Sequence, residues 1–252
     1  WQAAFGVAAA GSALALFLAF LILRPRPVAP SEQRASVLQT LDFRPVWQNR
    51  PARAYILAYS CHMWEMFAAR SWLVAFLTYS ISLQAVTDGH LAPTTVMAIA
   101  GIGGMLASIG GGELATRFGR RRTVSVIMLI SCLLAVTIGF SAGLPYGGVV
   151  CLCILYTLFF QGDSAAIHAG VITAAPPQRR GATMALQSLG GFAAASLGSV
   201  AAGLILDLTG GGNTTLSWGI TFASLALAAA LGPLLLRRID DSANRRESNP
   251  SR

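Results

Sequence analysis

The chain has 252 residues, 54% of them hydrophobic and 11% charged, with a net charge of +8. A soluble domain carries about a quarter charged residues, and here the apolar residues come in runs of about twenty, which excludes a large water-soluble core and points to a polytopic membrane protein. Nor does the positive charge point to nucleic acid: all 18 basic residues are Arg, and every one except Arg70 lies between apolar runs or in the tail.

In chain order the apolar runs are 2–23, 54–82, 94–115, 123–141, 147–173, 183–207 and 218–236. Each is long enough to cross a hydrocarbon core of about 30 Å as a helix, so the spacing predicts seven transmembrane helices. The first run opens at Trp1 without a Met or a basic leader, and is expected to be a helix of a longer protein's N-terminal half. Residues 24–53 are rich in Pro and charge and are expected to form a cytoplasmic linker, with a short interfacial turn at Val37–Leu41. Residues 54–236 then form a six-helix bundle, and 237–252 a polar, disordered tail.

Alternate loops differ completely in charge. Those around Arg24–Arg53, Thr116–Arg122 and Ala174–Ala182, with the tail, hold all the loop arginines, and the intervening loops hold none. The positive-inside rule makes the Arg-bearing set cytoplasmic, C-terminus included.

Spans three and six carry small residues at four-residue spacing: Ala100, Gly104, Ser108 and Gly112 in one, Gly191, Ala195, Ser199 and Gly203 in the other. Such stripes let helix backbones approach closely. They are read either as ordinary tight packing or as the corresponding second members of two triplets. In the second reading spans two and five are the polar first members, spans four and seven the plain apolar third members, and the bundle is a three-plus-three inverted repeat.

Ionisable groups inside a membrane are costly and need a partner or a cavity. Span two places Tyr55, Tyr59, His62, Glu65 and Arg70 on an arc of about 140°, expected to face a water-filled cavity. Span five places Thr157, Gln161, Ser164 and His168 on one face, with Asp163 off it, turned toward another helix. His62, Glu65, Arg70, Gln161, Asp163 and His168 are the candidate substrate or proton site. An internal salt bridge of Arg70 with Glu65 or Asp163 is the structural alternative. Ser164 and His168 could instead form the nucleophile and base of an intramembrane serine hydrolase, although Gly162-Asp-Ser-Ala165 departs from the nucleophile-elbow pattern. The histidines, carboxylates and cysteines have no metal-ligand spacing, and neither metal nor cofactor is expected. A retinal protein is excluded by the absence of Lys for the Schiff base.

The junction of spans three and four, Gly112-Glu-Leu-Ala-Thr-Arg-Phe-Gly-Arg-Arg121, resembles the loop motif G-x-L-a-D-r-x-G-r-R of the major facilitator superfamily. Gly112, Leu114, Ala115, Arg117, Gly119, Arg120 and Arg121 match, and Thr116 stands where the family has Asp. Pro176-Pro-Gln-Arg-Arg-Gly181, with the glycine-rich span that follows, is similar to the family's connection between its tenth and eleventh helices. The resemblance covers the whole chain as family helices six to twelve. It implies a secondary transporter, symporter or antiporter, in a bacterial inner membrane, lacking the N-terminal half with which it works. The implied mechanism is alternating access around a midplane site lined by spans two and five. His62, Glu65 and Asp163 would carry the proton, and Arg70 would meet a small, anionic solute. A non-transporting membrane sensor of the same fold is the remaining alternative.

Overall fold

The computed structural model describes residues 2–23, 42–85, 89 and 91–237. The turn expected at Val37–Leu41, most of the linker and the tail lie outside the described residues. The chain divides into two compact units, 1–39 and 40–252. The first holds α1, Gln2–Ile22, an apolar helix in which the Ser12 hydroxyl donates back to the Ala8 carbonyl.

The second unit contains α2 (Arg44–Gln48), α3 (Arg50–Ser82), α4 (Pro93–Phe118), α5 (Arg120–Gly139), α6 (Tyr146–Gly162), α7 (Ser164–Ala174), a 3-10 turn at Pro177–Arg179, α8 (Arg180–Leu208) and α9 (Thr215–Leu236). No strand occurs among the described residues. The helices begin where capping chemistry sets them, ahead of the apolar runs. Asn49 accepts from the Ala52 N–H and Pro51 sits in the first turn, so α3 starts at Arg50 rather than Ala54. Gly119, at φ +87°, ends α4 and lets α5 start at once on Arg120. Most side chains rarely adopt that backbone angle, which accounts for glycine in the motif.

Six helical stretches are long and apolar enough to cross a membrane: Phe5–Ile22, Pro93–Phe118, Arg120–Gly139, Tyr146–Ala174, Pro177–Leu208 and Thr215–Leu236. The seventh expected span, α3, has ample length at 33 residues, but its polar residues keep it below that apolarity. Its burial compensates: Ala58, Ala68, Ala69, Leu73, Phe76 and Leu77 are fully enclosed by the other helices.

The span expected as one helix over 147–173 is one helical stretch, Tyr146–Ala174, with a one-residue irregularity at Asp163, whose backbone stays in the helical region (φ −85°, ψ −11°). α6 stops at Gly162, Asp163 forms the joint, and α7 restarts at Ser164. Gly, Asp and Ser are weak helix formers, and the joint is pressed from outside by α4. A methyl group at Gly111 would overlap the Gly162 carbonyl.

Packing follows a pairwise exchange. α3 packs along α8, and α6–α7 along α4; α3 lies on α9 as α6 lies on α5; α5 and α9 pack on each other. Swapping α3 with α6–α7, α4 with α8 and α5 with α9 leaves these pairings unchanged, while each swap reverses chain direction. This is the three-plus-three arrangement. The small-residue stripes serve both readings given them: Gly104 and Gly111 meet Gln161 and Gly162, and Gly191 and Gly198 meet Tyr59 and Trp64.

Two ends are thereby defined. At the Arg-bearing end, Asn49 donates to the Ala174 carbonyl (2.9 Å) and Arg179 lies against the Asp42 carbonyl (3.4 Å). At the opposite end Ser80 donates to the Ala142 carbonyl (2.9 Å), and Phe76 packs edge-on against Trp218 and Phe222.

Candidate functional site

The polar residues of α3 do not face an open cavity. Tyr55, Tyr59, His62 and Glu65 are turned into the bundle, and only Arg70 is exposed. The reason is geometric: the glycine stripe of α8 and the helical stretch α6–α7 close over that face, leaving room for rings and carboxylates between backbones.

The irregularity between α6 and α7 sets the first pair. Asp163 sits at the joint, where its backbone (φ −85°, ψ −11°) leaves the side chain aimed across at α3. Its Oδ1 lies 2.8 Å from His62 Nδ1, with the two side chains 2% and 1% exposed. The two atoms are within hydrogen-bonding distance though not ideally aligned, and His62 is charged only when it holds the shared proton. A carboxylate and an imidazole enclosed together share one proton between two sites, and a pair so buried is disrupted at high cost if either member is removed. His62 Nε2 is also buried without a partner.

Three residues further along α3, Glu65 is 2% exposed and accepts through Oε1 from Ser131 Oγ (2.7 Å) and Tyr156 Oη (3.1 Å). Ser131 lies on α5, which corrects the expectation that this span is plainly apolar. Neither donor was singled out from sequence as a partner of Glu65. A serine or tyrosine alone in an apolar helix gives little signal, because its hydroxyl is cheaply satisfied by the helix backbone.

Arg70 bonds through Nη2 to Gln161 Oε1, and neither Glu65 nor Asp163 is its partner. The internal salt bridge weighed from sequence therefore does not form. Among the described residues the ion pairs are His62–Asp163 and the exposed Glu113–Arg117. A guanidinium held by one neutral amide keeps most of its five donors for another group.

His168 Nδ1 lies 2.9 Å from Gln187 Nε2 on α8, a residue not singled out from sequence. No hydrogen bond joins His168 to Ser164 among the described residues. Tyr59 stands between the two histidines, its ring centroid 4.8 Å from His168 and 6.0 Å from His62. Gly191 makes room for that ring, since any side chain there would collide with it. The six candidate residues thus fall into a buried carboxylate–imidazole group (His62, Asp163, Glu65), a flanking His168–Gln187 pair, and the Arg70–Gln161 pair at the surface of the bundle.

At the loop motif, Arg117 Nε bonds Glu113 Oε1 (2.8 Å), Thr116 Oγ1 donates to the Glu113 carbonyl, and Arg120 Nη1 reaches Thr173 Oγ1 (3.2 Å) near the end of α7. With Thr at position 116, Glu113 one turn earlier supplies the carboxylate for Arg117.

The sequence profile described as Major Facilitator Superfamily matches residues 1–162 and again 90–252, so that the two matches together span the chain. The chain belongs to the major facilitator superfamily. Its members are generally membrane transporters, and the all-helical bundle described above is consistent with half of such a protein. No curated protein matches the chain.

Proposed function

We propose that the chain is the C-terminal part of a secondary transporter that couples a small, anionic solute to a proton by alternating access. In this reading residues 54–236 form the rocking half and helix 1–23 belongs to the preceding half. Residues 24–53 cross the cytoplasmic side of a bacterial inner membrane, and 237–252 remain there. The lipid bilayer surrounds the bundle, and the missing N-terminal half completes the cavity.

The observation that carries this reading is the division of labour within one site. Two buried carboxylates and an imidazole can hold a proton out of contact with water. An exposed guanidinium, paired only with a neutral amide, can meet an anion. The salt bridge that would make Arg70 a purely structural residue is absent among the described residues, since its partner is the neutral Gln161.

The test uses the protein with its N-terminal half restored, in liposomes. Glu65→Gln mimics a permanently protonated carboxylate, so exchange of labelled solute between the two sides should persist while uptake driven by a pH gradient fails. Full gradient-driven uptake by Glu65→Gln would refute the coupling role.

A further inference from the structure

The buried pair His62–Asp163 needs a way to exchange its proton with water, and the surroundings of the two rings suggest where that way lies. At 1.5 Å per residue, His62 is about 18 Å along α3 from Arg50 and about 30 Å from Ser82. Asp163 is about 16 Å from the end of α7 at Ala174 and about 25 Å from Tyr146 on the same scale. The pair is therefore closer to the Arg-bearing end of the bundle. Between it and that end stand Tyr59, His168 and Gln187. His168 is about 9 Å from Ala174 and Gln187 about 10 Å from Arg180.

Two further observations bear on this stretch. Both His62 Nε2 and Gln187 Oε1 are fully enclosed and lack a hydrogen-bond partner. Buried polar atoms in native proteins are normally satisfied, often by enclosed water. Tyr59 packs against both histidines, and Gln187 against His168, so the two atoms lie at the ends of a run of polar side chains, His62, Tyr59, His168 and Gln187. Moreover, Gln187 is suited to a histidine that changes charge. Its amide nitrogen donates to Nδ1 when that atom is bare, and after a half-turn its oxygen accepts when Nδ1 carries hydrogen.

We infer that the His62–Asp163 pair exchanges its proton with the Arg-bearing side of the membrane through His168, with Gln187 as the residue that holds His168 in either protonation state. This deepens the proposed function and rests on the carboxylate–imidazole group carrying the coupled proton. His168 takes up a proton at Nε2 while its Nδ1–H donates to Gln187 Oε1, and gives the proton up from the same Nε2. That proton passes over enclosed water beside Tyr59 to His62 Nε2, and the Nδ1 proton of His62 moves to Asp163. The net result is one proton gained by Asp163 and a change of tautomer at His62, and passage in the reverse direction restores both. The charged and titratable groups facing His62 are Asp163 from the helix joint and Glu65, Arg70 and Tyr59 from α3; His168 faces Tyr59 and Gln187. Arg70 and Gln161 take no part in this route.

The inference is tested with the full chain in lipid nanodiscs, its histidines labelled with nitrogen-15 and assigned by single substitutions. Magnetic resonance then reads the protonation of the His62 ring and the rate at which its ring proton exchanges with solvent. His168→Leu should slow that exchange by about 100-fold, the lower end of what a positioned acid–base group contributes. Gln187→Met, which leaves His168 in place, should slow it by a smaller factor. A second sample labelled at tryptophan gives the Trp218 indole signal from the far end of the bundle and checks that each variant is folded. Unchanged exchange in both folded variants would overturn the route. Failure of His62 in the unmodified chain to change protonation between about pH 5 and about pH 8 would overturn the proton-carrier reading itself.

Discussion

The contact between Gly111 of α4 and Gly162 at the end of α6 should be intolerant of a methyl group on one side only. A β-carbon at Gly111 would overlap the Gly162 carbonyl oxygen and stand 2.8 Å from its carbon. Both atoms are backbone, so no rotamer change relieves the clash. A β-carbon at Gly162 meets Ile127 Cγ2 at 3.6 Å and the Ala107 carbonyl at 3.8 Å, which is ordinary contact. At Gly110 nothing lies within 4 Å. Overpacking costs about 1–3 kcal/mol, and Gly→Ala in a helix returns up to about 1 kcal/mol of propensity. With a net cost of about 2 kcal/mol and about 2–4 °C per kcal/mol for a chain of this size, Gly111→Ala should melt about 4–8 °C below the unmodified chain, whereas Gly110→Ala and Gly162→Ala should melt close to it. The chain carries its own reporter: Cys61, Cys132 and Cys153 are free and at least partly enclosed, so a thiol-reactive dye in detergent follows unfolding once exposed Cys151 is blocked. Gly111→Ala should also spread the joint and weaken the His62–Asp163 pair. Equal melting of Gly111→Ala and Gly110→Ala, or greater damage from Gly162→Ala, would refute the packing argument.

Arg70→Ala should abolish solute transport in the completed protein without unfolding it, and adding Glu65→Gln or Asp163→Asn should not rescue it, because Gln161 and not a carboxylate is its partner. Recovery in either double variant, measured as solute exchange in liposomes, would make Arg70 a structural partner of that carboxylate. Gly119→Val should impair conformational cycling more than solute binding, since a backbone at φ +87°, ψ +130° costs a β-branched residue about 1–3 kcal/mol; Thr116→Asp should be tolerated, and equal transport by both variants and the unmodified protein would remove the loop from the mechanism. On a cysteine-free background, Asn213→Cys should label from outside and Gln178→Cys only from inside, and labelling of both from one side would refute the orientation.

The helices were legible because apolar runs bounded by Arg, Pro and Gly leave few alternatives in lipid. The joint at Asp163 was not legible. The apolar pattern continues across Gly162-Asp163-Ser164, and the close packing at that point involves a glycine of α4, Gly111, far away in sequence. The charged residues of the site stood out because each is costly in an apolar helix. Their partners did not, since Ser131, Tyr156 and Gln187 are inexpensive there and gain meaning only when helix packing brings them to Glu65 and His168. The Arg70 pairing failed for a related reason: wheel geometry ranks residues by face, and a long side chain such as Arg reaches a neutral amide on a neighbouring helix as readily as a carboxylate on its own.

Asn49 serves two helix ends with one amide: its oxygen takes the Ala52 N–H at the start of α3, and its nitrogen reaches the Ala174 carbonyl at the end of α7. Asparagine is a thermolabile residue, and its spontaneous hydrolysis to aspartate would split these duties. The new carboxylate would cap α3 at least as well, gaining from the positive end of that helix. Toward α7 it would present an anion to a carbonyl that had been receiving a hydrogen, at the negative end of the helix dipole. Chemical ageing at this single side chain would leave each helix intact and release the bond that ties their ends together, while the ring contacts farther along, such as Tyr59 with His168, remain.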